Sequence, residues 1–170
     1  MKRSITPNAM AFVLAIVLVA ALSPAKADGQ SSTGVKRSLV GTWTVTTTPR
    51  NCTTGAPIPG AEFEGLFTFH DDGTMSAWAQ NAFITVTRSP SQGVWQRDHG
   101  WNKHSFAFVH LRYDLSGIFV GKQVAEGSLA LKQSGDRFTT ESTTALFDAN
   151  GLSLGGGCAT SAGTRFDLDS

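Results

Sequence analysis

Helical periodicity is the feature this 170-residue sequence most lacks. Past an N-terminal apolar run, no stretch repeats apolar residues every three to four positions beside good helix formers. That excludes helical bundles and alternating α/β folds. Charge is also scarce: Asp, Glu, Lys and Arg make up 16% of the chain. Lys and Arg do not cluster as a nucleic-acid surface or an anionic membrane patch requires. Only two cysteines occur, too few for a cysteine-rich zinc framework. His70, His99, His104 and His110 lack zinc-ligand spacing, so no metal is expected. Asp148-Ala149-Asn150-Gly151 begins like a calcium loop, but the twelfth position is Ala159, where such a loop needs Glu. Glycines 155–157 are followed by neither a helix nor a Lys, so they form no phosphate cradle. No cofactor is indicated.

The one long apolar run explains itself. Lys2 and Arg3 precede it, Ala9 to Leu22 form it, Pro24 breaks it, and Ala25-Lys26-Ala27 follows. This is the pattern of a secretory signal peptide cut before Asp28. The run is short for a membrane span, which needs about 20 residues. The expected product is secreted or periplasmic, with no stable membrane insertion. Removing residues 1–27 from 170 leaves 143, enough for one domain with its own core. It also removes Lys2, Arg3 and Lys26, leaving 11 basic against 13 acidic side chains, or about −2. Residues 28–38 are small and polar and read as a flexible leader; residues 39–167 are the domain.

In an exported chain, Cys52 and Cys158 most simply form one disulfide, closing a loop of 106 residues. From Leu39 onward, short alternating segments recur between turn signals. They cover 39–47, 62–70, 74–80, 93–97, 104–114, 119–132, 137–147 and 152–166, with a longer loop or irregular strand at 81–91. Asp71-Asp72-Gly73, Asp114-Leu115-Ser116-Gly117, Ser134-Gly135-Asp136 and Asp148-Ala149-Asn150-Gly151 supply tight turns. Eight strands joined in sequence order predict an all-β, antiparallel up-and-down barrel.

Gly41-Thr42-Trp43 in the first strand resembles the G-x-W signature of lipocalins and the wider calycin group. Those are eight-stranded barrels in which an Arg near the last strand packs over that Trp at the closed end. Arg165, in Gly163-Thr164-Arg165-Phe166, is similarly placed. The chain is also similar to exported bacterial lipocalin-like proteins with a "GVW" strand, a D-x-x-G turn and a "GCAT" ending. The resemblance implies structural roles for Gly41, Trp43 and Arg165. Two features depart from lipocalins: the T-D-Y loop motif is missing, and no helix follows the last strand.

Strand parity sorts the faces, because charged side chains are cheaper outside. In 62–70, Phe63, Phe67 and Phe69 then point inward. In 104–113, His110 and Arg112 are read as outward, which places Val109, Leu111 and Tyr113 inside. In 119–132 the inward set is Gly121, Gln123, Ala125, Gly127, Leu129 and Leu131; in 137–147 it is Phe138, Thr140, Ser142, Thr144 and Leu146. One wall is thus aromatic and the facing wall small and hydroxylated. The expected ligand-lining residues are Phe63, Phe67, Phe69, Tyr113, Gln123, Ala125, Gly127, Phe138, Thr140, Ser142 and Thr144. A barrel of this size holds packed side chains or one small ligand. Trp78, Trp95 and Trp101 are core or rim, and the loop 98–104 offers Trp101 a place at an open mouth.

Gly151-Leu152-Ser153-Leu154-Gly155 matches the G-x-S-x-G nucleophile elbow. That motif needs a strand, a sharp turn and a helix, with its histidine later in the chain. Here a hairpin turn precedes Ser153, alternating residues surround it, and the last histidine is His110. Ser153 therefore reads as a strand residue, and no catalytic residue is expected. The leading functional expectation is a secreted binding protein for a small, mostly apolar molecule. One alternative is an extracellular interaction protein, such as a β-barrel protease inhibitor acting through its leader. The other is a barrel isomerase or cyclase, similar to allene oxide cyclase, which would need an acidic residue inside the barrel.

Overall fold

The computed structural model describes residues 37–79 and 86–168. The expected signal peptide, the leader up to residue 36 and the segment 80–85 lie outside the described residues. Nine strands occur in chain order. They are β1 (Gly41–Arg50), β2 (Phe63–Phe69), β3 (Thr74–Ala79), β4 (Thr87–Arg88), β5 (Ser91–Arg97), β6 (Lys103–Tyr113), β7 (Phe119–Leu131), β8 (Arg137–Asp148) and β9 (Ser153–Arg165). β1-β2-β3-β5-β6-β7-β8-β9 pair in that order, and β9 pairs back onto β1. All the pairings are antiparallel, so eight staves close an up-and-down barrel.

β4 and β5 are two pieces of one stave, both paired with β6. Pro90 lies between them and has no N–H to give the ladder. Ser89 bridges the gap: its N–H donates to the Leu111 carbonyl at 3.0 Å, and its hydroxyl accepts the Leu111 N–H at 3.0 Å. The turns follow the residues expected to make them. The Asp114 carboxylate accepts the N–H groups of Ser116 and Ile118, and Asp148 accepts those of Asn150 and Leu152.

The alternating chain direction assigns the two ends. β2–β3, β5–β6 and β7–β8 connect at one end; β1–β2, β3–β4, β6–β7 and β8–β9 connect at the other. The first end is plugged. Leu39, Trp43, Phe69, Met75, Leu131 and Phe138 are all at most 1–2% exposed there. Edge-to-face ring pairs join them, Trp43 to Phe138 at 4.9 Å and Phe69 to Trp95 at 5.9 Å. Such pairs add about 0.5–1.5 kcal/mol each beyond their buried area. Gly163 is required beneath this cluster, since a Cβ there would meet the Phe138 ring at 2.3 Å.

Arg165 laces the plug to the chain ends. Its Nε donates to the Gly135 carbonyl at 3.0 Å, Nη1 to Val40 at 2.9 Å, and Nη2 to Gly135 at 2.8 Å and to Ser38. Gly41, at φ 132°, leaves room for it; a Cβ there would sit 2.8 Å from Nη1 of Arg165.

Two expectations are corrected. β6 carries the opposite face from the one read by parity: His104, Phe106 and His110 are buried, while Val109 and Leu111 are exposed. The polar side chains of His110 and Arg112 misled the assignment; Phe106 and Phe108 share their parity and outweigh them. Trp101 lies in the β5–β6 turn, at the plugged end rather than at a mouth, with the Arg37 guanidinium 5.8 Å from its ring.

Candidate functional site

Above the plug the barrel is not filled. A cavity of about 220 Å³ occupies its other half. Phe63 and Phe67 from β2 and Phe106 and Phe108 from β6 form its aromatic walls. Thr47, Ala125, Ser142, Thr144, Gly157 and Ser161 form the small, hydroxylated side. The sequence sets this contrast directly. β8 alternates Thr140, Ser142 and Thr144 inward, and β9 offers Gly157, Ala159 and Ser161, so neither strand can reach across to the rings.

The hydroxyls are mostly tied to the wall. Those of Thr47 and Ser161 share a hydrogen bond of 3.0 Å, and Ser142 donates to the Ala159 carbonyl at 3.3 Å. Lower down, the Thr140 hydroxyl is buried with no hydrogen-bond partner among the described residues.

Toward the end opposite the plug, a space of about 140 Å³ adjoins the cavity, lined by Val86, Arg88, His110, Arg112, Gln123 and Leu146. Arg88, His110 and Gln123 line both. His110 is only 4% exposed. Burial, then the guanidiniums of Arg88 and Arg112, push its pKa down to about 4, against a hydrogen bond with Gln123. Its ring is therefore neutral at pH 7. Ser91 Oγ lies 3.5 Å from its Nδ1. Burial also lowers the pKa of Arg88, whose Nη2 donates to the Ala79 carbonyl.

Of the residues expected to line a ligand site, Phe63, Phe67, Gln123, Ala125, Ser142 and Thr144 meet at this cavity. Phe69 and Phe138 belong to the plug instead. Thr140 lies buried without touching the cavity, and Gly127 is pressed against Ser142, where its own Cβ would be 2.9 Å from that of Ser142. Tyr113 is not at the cavity; its ring packs on Phe119 at 6.1 Å near the β6–β7 turn. Parity identified the wall and not the height along the barrel. Sequence reasoning missed Arg88, Ser91, Phe106, Phe108 and His110. For β6 the signal was divided, because Phe106 and Phe108 lie on one parity and Val109 and Leu111 on the other. For Arg88 there was none, because residues 81–91 show no alternation.

Cys52 and Cys158 form the expected disulfide, with Cα atoms 5.2 Å apart. Cys158 stands opposite Arg50 in the β1–β9 register. The bond holds the β1–β2 loop against β9. A larger, open concavity of about 1130 Å³ lies along the outer face, beside Arg50, Gly55, Glu126 and Glu141. Its lining also includes Phe106, Ser142 and Ala159, which border the cavity of about 220 Å³ as well. Among the described residues, no Asp or Glu lines either that cavity or the space of about 140 Å³ beside it, and no group of His, Cys, Asp or Glu could hold a metal.

Ser153 opens β9 on the exposed surface. The strand continues to Arg165, so the helix of a nucleophile elbow is replaced by a sheet stave. No helix among the described residues is long and apolar enough to cross a membrane.

No known protein-family model matches the chain, and no curated protein matches it significantly in sequence.

Proposed function

We propose that this chain is an exported, lipocalin-like binding protein that holds a small, mostly apolar molecule in its barrel. The observation that carries this reading is the half-filled interior. Four phenylalanines face a wall of Ala, Gly, Ser and Thr across about 220 Å³. An apolar cavity of about 150 Å³ suffices to take up benzene. Drug-sized sites run from about 300 Å³ upward. The fitting occupant is thus one ring with a short substituent, or an aliphatic body of that bulk. The signal-peptide pattern, the disulfide and the eight-stave barrel support a secreted or periplasmic protein of the calycin type, and the resemblance to exported bacterial proteins points the same way.

The test is ligand-observed NMR with two single-ring probes, 3-phenylpropanol and 3-phenylpropanoate, on the purified mature protein and its Ala125→Phe variant. Ala125 lines the cavity and is buried. A phenyl group there should fill the space, abolish probe binding and cost stability only within the overpacking range, about 1–3 kcal/mol. A parent that binds neither probe, with Ala125→Phe severely destabilised, would mean that the barrel is already full. The interaction-protein reading would then replace this one.

A further inference from the structure

Arg88 and Arg112 stand directly opposite each other in the β4–β6 pairing. Both line the same 140 Å³ space beside the main cavity. Like charges directly opposite across a sheet destabilise it, and burial of Arg88 adds a desolvation cost. A protein offsets such a pair with a carboxylate. None is present: among the described residues neither guanidinium forms an ion pair with Asp or Glu.

The acids of this end are committed elsewhere. Asp114 and Asp148 bind the amides of their own turns. Glu62 and Glu64 accept the hydroxyls of Thr48 and Thr46. The segment 80–85, Gln-Asn-Ala-Phe-Ile-Thr, contains no acid to contribute. His110 lines both spaces beside Arg88, and its neutral ring adds neither a countercharge nor a third cation.

We propose that the molecule held in the barrel is a compact organic carboxylate, with its apolar body among Phe67, Phe106 and Phe108 and its carboxylate drawn between Arg88 and Arg112. This inference rests on the binding reading above and narrows its ligand class. Guanidinium is planar, stays charged when buried and matches a carboxylate with paired N–H donors. Gln123 borders both spaces and has an amide to offer the same head group. The two spaces share Arg88, His110 and Gln123 as lining, so one molecule with its ring in the apolar half would carry its charge to the cationic rim. The cavity volume limits that body to about one ring, which excludes long acyl chains.

The experiment compares 3-phenylpropanoate with 3-phenylpropanol, alike in body and different in charge, at pH 7.5 and low salt. The mature parent and an Arg88→Gln/Arg112→Gln double variant are titrated with each by calorimetry. The parent should prefer the acid by about tenfold or more, since charge-assisted hydrogen bonds exceed neutral ones by roughly that factor. The double variant should lose that preference, the affinity for the acid falling to about that for the alcohol, because the charged partners of the carboxylate are gone. The single Arg112→Gln variant should melt no lower than the parent without ligand, because it removes a repulsion. Equal binding of acid and alcohol by the parent overturns the carboxylate inference while leaving the binding protein standing. So does a double variant that retains the preference. Absence of binding by both probes in the parent overturns both readings.

Discussion

The guanidinium carbon of Arg165 lies 4.2 Å from the centre of the Trp43 ring, whose indole N–H donates to the Leu39 carbonyl at 3.0 Å. One side chain from the last strand and one from the first thus seal the same end. Between them they hold the carbonyls of Ser38, Leu39, Val40 and Gly135. Arg165→Ala should remove a cation–π contact of about 0.5–2 kcal/mol and strand carbonyls costing about 1–3 kcal/mol. The expected loss in denaturant unfolding is about 2–4 kcal/mol. Arg165→Lys should recover only part of it, because a point charge cannot reach three carbonyls from one plane. A loss below about 0.5 kcal/mol would show the contact to be ornamental.

The disulfide should contribute strongly to stability. A loop of about 100 residues is worth roughly 4–5 kcal/mol in the chain-entropy description. Cys52→Ala and the Cys52→Ala/Cys158→Ala double variant should melt equally far below the parent, since either removes the same bond. Peptide mapping of the exported protein without reductant should recover the two cysteines linked; two alkylatable thiols would contradict it.

Stability should fall on acidification between about pH 6.5 and pH 4. The unfolded chain binds the His110 proton near 6.5, but the folded protein does so only near 4. Across that window the unfolded state holds more protons, so the contribution is complete above 6.5 and lost as pH drops. The full effect is about 3 kcal/mol at 1.36 kcal/mol per unit. His104, lowered by burial and then by Arg97, acts in the same direction. His110→Gln should flatten part of the slope and leave the remainder from His104. An NMR titration that finds the His110 ring protonated at pH 6 would refute the assignment.

Ser153 should be dispensable. Ser153→Ala should leave any measured esterase activity unchanged, and a fluorophosphonate probe should not label the parent at this position. A stable adduct on Ser153 would restore the nucleophile that the strand geometry removes.

Much of the barrel was legible because β-structure writes its own face into a period of two. Phe63, Phe67 and Phe69 alternate with Glu62, Glu64 and Thr68. Lys122 and Glu126 alternate with Gln123 and Ala125. Where one parity is charged and the other apolar, burial follows. β6 broke that rule because both its parities are apolar in part. Phe106 and Phe108 compete with Val109 and Leu111, and His110 and Arg112 look too polar to enter. The winner was decided by pairing with β5 and β7, where Phe106 stands opposite Trp95 and Gly127.

By itself, then, the sequence determined the all-β class, the eight staves, the Cys52–Cys158 partnership and the inward faces of β2, β7 and β8. Local alternation, turn residues and a cysteine count of two suffice for these, since each depends on neighbours a few positions away or on pairing without alternatives. Only the tertiary structure decided the face of β6, the height at which each ring sits and the meeting of Arg88 with Arg112. Those depend on the stagger between strands, which places Phe69 and Phe138 in the plug and Phe63 and Phe106 at the cavity. Stagger is a property of closing the sheet, and no single strand carries it.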